Sequence, residues 1–255
     1  MIISGSRITR GVAAAFIILT LSGARAGQAA PSSGPTLVSR VVAAYTTNVR
    51  GIIGMQRHFS TVINGGPVHH TEVSDSGLLL KDGAYVNIRY YRIADDGSAF
   101  SAAKIAQRNT QTNSDWSAGK IFFKEPYDRR YVADYQFQPP TTEAFCGAAA
   151  AVAFSSTVKD AQHGSGWMCI DQSSARVTKL SYVPNAFPPH ASAGSVTETS
   201  GTALTGMWYV TRIDETYNGH ALIIHGNATF TGVVDHFRRF SDVSSAQAAL
   251  TSGSI

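Results

Sequence analysis

Residues able to do chemistry are scattered along this chain. Histidines number eight, and the densest grouping is His69-His70-Thr71-Glu72, where strand alternation sets His70 and Glu72 on one face. His220 and His225 fall on opposite faces of an extended segment and make poor joint ligands. A zinc site needs three or four donors at short spacings such as HExxH or paired CxxC, and neither occurs. Solvated strand histidines are the simpler reading, and no metal or cofactor is implied. Asp235-His236 with Ser241 or Ser195 has the residue types of a nucleophilic triad, but the GxSxG elbow that presents a serine is missing. Gly164-Ser165-Gly166 lacks the GxxxxGK[ST] phosphate-loop pattern and reads as a turn. Arg238-Arg239, between Phe237 and Phe240, suits either an anionic headgroup or an edge-strand charge pair that deters strand addition, and the second is the plainer reading. Arg89-Tyr90-Tyr91-Arg92 reads as strand with one aromatic on each face. The chain is therefore expected to be no enzyme.

Cys146 and Cys169 are the two cysteines of the sequence. In an oxidising compartment an isolated pair predicts a disulfide, closing a loop of about 24 residues and adding roughly 3 kcal/mol by chain entropy. The oxidising compartment is itself read from the N-terminus. Arg7 and Arg10 precede an apolar run from Val12 to Leu21 and the triplet Ala24-Arg25-Ala26, the layout of a secretory signal peptide over 1–26. That run is shorter than the roughly 20 residues that span a bilayer, so the expectation is export to the periplasm or beyond and not an integral membrane protein. Three arginines and no acid leave with the signal, taking the net charge from +4 to +1. A near-neutral chain gives no reason to expect a nucleic-acid partner.

The elements that position these side chains follow from periodicity. Residues 27–35 read as a mobile leader, 36–240 as a single β-rich domain, and 241–255 as a weakly ordered tail rich in serine and alanine. Leu37, Val41, Tyr45 and Val49 recur every four residues and predict an N-terminal helix. From Ile53 the pattern alternates, with Met55, Arg57 and Phe59 in one register, and turns are signalled at 64–67, Asp82-Gly83 and Asp95-Asp96-Gly97. Residues 98–118 interrupt the strands with a helical insertion. Strands resume, with a hairpin across Asp171-Gln172-Ser173-Ser174 and the strongest hairpin signal at Asn218-Gly219. The fold class is α+β: a highly curved antiparallel sheet of about ten strands, an incomplete barrel, with an N-terminal helix and a mid-chain helical insertion.

The late strands are apolar on both faces. Met207, Tyr209, Ile213 and Tyr217 share one register and Trp208 and Val210 the other, while Leu222 and Ile224 oppose Ala221 and Ile223. Such a sheet needs a cover on each side or a cavity for an apolar ligand. Met207, Trp208, Tyr209, Leu222, Ile224 and Phe230 are the expected groove residues.

The export signal, the helix and the long meander, with the segments WMCIDQSSARVTKLSYVPN (167–185) and TGMWYVTRIDETYNGHALIIHGNATFTGVVDHFRRF (205–240), resemble the periplasmic lipoprotein-carrier (LolA-like) superfamily. The resemblance is one of strand rhythm over roughly 36–240. It implies an incomplete barrel whose concave side binds lipid, lipoprotein acyl chains or another hydrophobic ligand, with a lipoprotein or envelope protein as a further partner. The alternative is an envelope interaction scaffold without a small-molecule pocket.

Overall fold

Two antiparallel meanders, separated in sequence by a helix, lie side by side in one curved sheet. The computed structural model describes residues 36–120, 123–187, 191–221 and 224–255, without the side chains of Val68, His220, Ala221 and Ile224. The expected signal peptide and leader lie outside the described residues. The first meander holds β1 (Ile52–Gly65), β2 (Val68–Lys81), β3 (Ala84–Asp95) and the short β4 (Ser98–Ala99). The second holds β5 (Tyr135–Phe137), β6 (Thr141–Thr142), β7 (Ala150–Ser156), β8 (Gly164–Asp171), β9 (Arg176–Pro184), β10 (Ala191–Leu204), β11 (Met207–Ala221) and β12 (Ile224–Phe240). Helix α1 (Leu37–Asn48) precedes the sheet, α2 (Ala102–Ser117) separates the meanders, and α3 (Val243–Ser252) follows.

The strand order is β4-β3-β2-β1-β12-β11-β10-β9-β8-β7-β5, with β6 beside β7. The α+β expectation holds, with twelve strands among the described residues where about ten were expected; β4 and β6, two residues each, make up the difference. The meander is not continuous, because the first long strand pairs with the last from Ile52↔Phe240 to Gly65↔Gly226. Register shifts in the β1–β12, β2–β3, β8–β9 and β10–β11 pairs each add local twist, and the sheet curls without closing.

Local chemistry explains the turns. Asp82 and Gly83 have φ of 50° and 77°, and Asp96 and Gly97 have 46° and 80°, the left-handed pairs that suit a strand-twisted two-residue hairpin. Asn218-Gly219 is not a turn. Asn218 pairs with Asn227 and Gly219 with Gly226 inside the β11–β12 ladder, which runs on to Ala221↔Ile224. Opposed glycines let β12 lie close to β1: a Cβ on Gly226 would come within 2.6 Å of the Asn64 carbonyl. Gly164-Ser165-Gly166 is likewise strand, where a Cβ on Gly166 would meet the Ser181 carbonyl at 2.0 Å. β3 carries two bulges opposite β2. Register skips Tyr91 and Val86 of β3, and both pack on the outer face.

Three cores result. On the inner face, α1 covers the β7–β10 half through Val41, Met168, Ile170, Leu180 and Val196. Also on the inner face, Met55, Leu78, Leu80, Ile88, Trp116 and Met207 form a second core beneath α2. On the outer face, Leu79 meets Ala246, Leu250 and Ile255. The segment 241–255 is therefore no weakly ordered tail. Asp242 caps α3 by accepting from the Ser245 N–H, Gly253 closes it in the left-handed conformation, and Tyr91 donates to the Leu250 carbonyl at 3.0 Å. Ala246 and Ala249, both buried, are the small residues that let this helix lie close to the strands. Cys146 and Cys169 form a disulfide with Cα atoms 5.2 Å apart, joining the loop before β7 to β8.

Candidate functional site

Between the two inner cores lies a cavity of about 650 Å³, walled in part by their own side chains, Leu78, Leu80 and Trp116 from one and Tyr182 and Val196 from the other. Strand register builds its floor. Glu198 of β10 opposes Ile213 of β11, Ile213 opposes Gly232 of β12, and Gly232 opposes Phe59 of β1. Gly232 matters here because its missing Cβ is where the Phe59 ring lies; a Cβ would sit 2.6 Å from that ring. The Arg57 guanidinium stacks 4.5 Å from the Phe59 centroid and 5.4 Å from the Trp116 ring. Glu215 and Tyr217 continue the inward row of β11.

Two elements close the cavity above. Asn109 and Asn113 of α2 hydrogen-bond the backbone of β3: Asn109 accepts from the Tyr90 N–H at 2.6 Å, and Asn113 donates to the Ile88 carbonyl at 2.8 Å. Polar groups along that strand are thereby satisfied, and Trp116 is set over the floor. The segment 123–131 then straps across. Phe123 stacks on Tyr182 with centroids 3.6 Å apart, Tyr127 packs edge-on to Tyr45 of α1 at 4.9 Å, and Arg130 donates to the Gly83 carbonyl at 2.8 Å while paired with the buried Asp128.

Three carboxyls line this space: Glu125, Glu198 and Glu215. Glu198 is only 7 % exposed, and its Oε2 is buried without a hydrogen-bond partner. Burial, reinforced by the charges of Glu125 and Glu215, pushes the Glu198 carboxyl well above the usual carboxylate range. Burial and the neighbouring Asp128 push Glu125 up to about 7, and burial raises Glu215. Burial lowers the Arg57 guanidinium from its ordinary value, although it remains a cation. Burial also raises Tyr45 and Tyr209, so both phenols stay neutral. No histidine, serine, threonine or cysteine lines the cavity among the described residues.

A second cavity of about 480 Å³ lies under α1, lined by Val41, Ala44, Asn48, Arg176, Val177 and Trp208 among others. Tyr45, Glu125, Tyr209 and Val210 line both spaces and form the partition.

The expected groove residues divide. Tyr209 lines both cavities and Trp208 the second, where its indole N–H donates to the Val177 carbonyl at 2.9 Å. Met207 is packed in the core at 1 % exposure and is no wall residue. Phe230 opposes Glu215 but packs on Tyr217, centroids 5.8 Å apart, and does not line the cavity. Leu222 and the side chain of Ile224 lie outside the described residues. Arg57, Trp116, Phe123, Glu125, Tyr182, Glu198 and Glu215 went unanticipated as site residues. A signal existed for two: Arg57 shares its register with Met55 and Phe59, and Glu215 shares its register with Ile213 and Tyr217, so each places a charge in an apolar row.

The remaining polar groups have other work. His70 meets Asp95 at 3.1 Å and Asp96 at 3.3 Å, while Glu72 pairs with Arg108 at 2.9 Å. His58 bridges Asp75 and Asp235 at 2.9 and 3.3 Å, and His236 holds Asp235 at 2.7 Å. Both groups lie outside the cavity. Ser195 pairs with Thr216 and Ser241 with Asp242, so no triad forms at His236. Arg238 and Arg239 are not edge charges, since β12 lies inside the sheet. Arg239 donates to the Asn48 carbonyl at 2.8 Å and so caps α1.

No family model and no curated protein matches the chain. Among solved structures, a crystal structure of MucB gives a TM-score of 0.24 at 8 % identity, covering 86 % of this chain and 98 % of that one. MucB in complex with MucA(peri), and the Pseudomonas aeruginosa MucA/MucB complex, each give 0.20 at 9 % identity over 81 % of this chain and 98 % of theirs. Likeness at that level carries no argument, and the functional reading rests on the cavity.

Proposed function

We propose that this chain is an exported, non-enzymatic carrier that holds one hydrophobic molecule inside its curved sheet. The observation that carries the reading is the cavity of about 650 Å³ left between two filled cores on the same sheet face. Its volume is in the range of small-molecule sites, and its wall is mostly aromatic and aliphatic with a few convergent polar groups. A core built only for stability would fill such a space, since each void forfeits packing energy. The export signal expected over 1–26 supports a carrier that works in the periplasm or outside the cell.

Trp116 lines the cavity and is the natural reporter. With Trp167 replaced by phenylalanine, titration with dodecanol should shift the remaining tryptophan emission with saturation at one site. Tyr209→Ala, which removes one of the four partition side chains, should change that response. Absence of saturable change for dodecanol and for a phospholipid, in folded protein, sinks the carrier and favours the interaction scaffold.

A further inference from the structure

The polar lining of the cavity is lopsided in charge. Glu125, Glu198 and Glu215 face inward, against Arg57, Lys120 and Arg130. Arg130 is engaged by the buried Asp128, and Lys120 lies 3.5 Å from Asp115 with its side chain 68 % exposed. Arg57 remains, stacked on Phe59 and held in the field of Glu215. Glu125 is left in the field of Arg130, and no cation among the described residues acts on Glu198. Glu198 is the deeper of the two, with an oxygen that has neither a donor nor water access. An unmatched buried polar atom is costly, and its retention in a cavity points to a ligand group that satisfies it.

Resting on the carrier reading above, we propose that the ligand is a hydrophobic amine whose single ammonium group is held by Glu198 beside the rings of Tyr182 and Tyr209. With the Glu198 carboxyl rotated so that Oε2 meets the cavity, an ammonium donates to it and is attracted by aromatic faces, with both terms strengthened by exclusion of water. An anionic head gains no charge pairing at Glu198, which becomes charged only by losing its proton and would then repel it, and it would find Arg57 already in the field of Glu215. A neutral head gains a hydrogen bond without the charge. The apolar body lies along Leu78, Leu80, Ile213 and Val234, which line the same space. The raised pKa of Glu198 is consistent: the empty site keeps a proton there, and a bound cation replaces it.

The test compares three probes with one tail, dodecylammonium, dodecanol and dodecanoate, at submicellar concentration by isothermal titration at pH 7. The proposal expects dodecylammonium to bind about tenfold or more tightly than dodecanol, and dodecanoate more weakly than either. Glu198→Gln should reduce the amine-to-alcohol ratio by about tenfold, while the ratio stays unchanged in Glu143→Gln, whose side chain is outside the cavity. Equal or tighter binding of dodecanoate, or a ratio insensitive to Glu198→Gln, overturns the amine proposal and leaves the carrier standing. Binding of none of the three overturns both.

Discussion

Asn48, the last residue of α1, holds both backbone polar groups of Trp208, 160 positions away in sequence. The Trp208 N–H donates to Asn48 Oδ1 at 2.8 Å, and the Asn48 amide donates back to the Trp208 carbonyl. Arg239 caps the Asn48 carbonyl from the neighbouring strand. The helix that roofs the second cavity is thus pinned at its end to the strand that carries the partition residue Tyr209.

Asn48→Ala removes this pin and leaves two part-buried backbone groups unpaired. Stability to urea should fall by about 2–3 kcal/mol with little change in helix content. A loss below about 0.5 kcal/mol would show that the pin contributes nothing beyond geometry.

Leu250→Ala tests the packing of α3. Leu250 is fully buried against Leu79 and the bulged Tyr91 on the outer face. Truncation should cost about 2–5 kcal/mol. A frayed terminal segment would give almost no loss, and thermal denaturation separates the two cases.

Stability should fall as pH rises from about 5 toward 8. Glu125, Glu198 and Glu215 have raised folded-state values, so between the unfolded carboxyl value of about 4.3 and the folded ones the native protein binds protons that the unfolded chain has lost. His58 adds to the same slope: the hydrogen bond to Asp75 raises it, and its contribution disappears as pH passes its folded value. Below about pH 4 the trend reverses. At Asp75 and Asp160 burial opposes the shift, but hydrogen bonds from His58 and Arg92, and from His163, hold these carboxyls low, and that stabilisation is lost on protonation. Urea midpoints across pH 3 to 8 should peak near 5, and Glu198→Gln should flatten the alkaline limb. A midpoint that climbs steadily to pH 8 contradicts the buried, protonated carboxyls.

Much of the fold was legible because its signals are local. The four-residue spacing of Val41 and Tyr45, the alternation from Ile53 and the left-handed hairpins at Asp82-Gly83 and Asp96-Gly97 each depend on neighbours in sequence. Asn218-Gly219 misled because hairpin propensity is weak against an established ladder, and the long strands β11 and β12 carried the pairing past it. α3 was hidden because alanine and serine show little hydrophobic contrast; what orders it is Leu79 and Tyr91, far away in the chain. The cavity was half legible. Sheet faces apolar on both sides signalled an enclosed space, but which residues fill it depends on the β1–β12 pairing that brings Arg57 and Phe59 opposite Val234 and Gly232. The strap at 123–131 carries no periodicity at all, so Phe123 and Glu125 gave no sign.

The most direct test of the carrier is native mass spectrometry of the protein purified from its own envelope without detergent. The carrier predicts a fraction bearing one small molecule per chain, freed by organic solvent and depleted in Ile213→Trp, where the larger side chain projects into the cavity. A bare chain mass for the native protein, unchanged after incubation with envelope lipid extract, would contradict it.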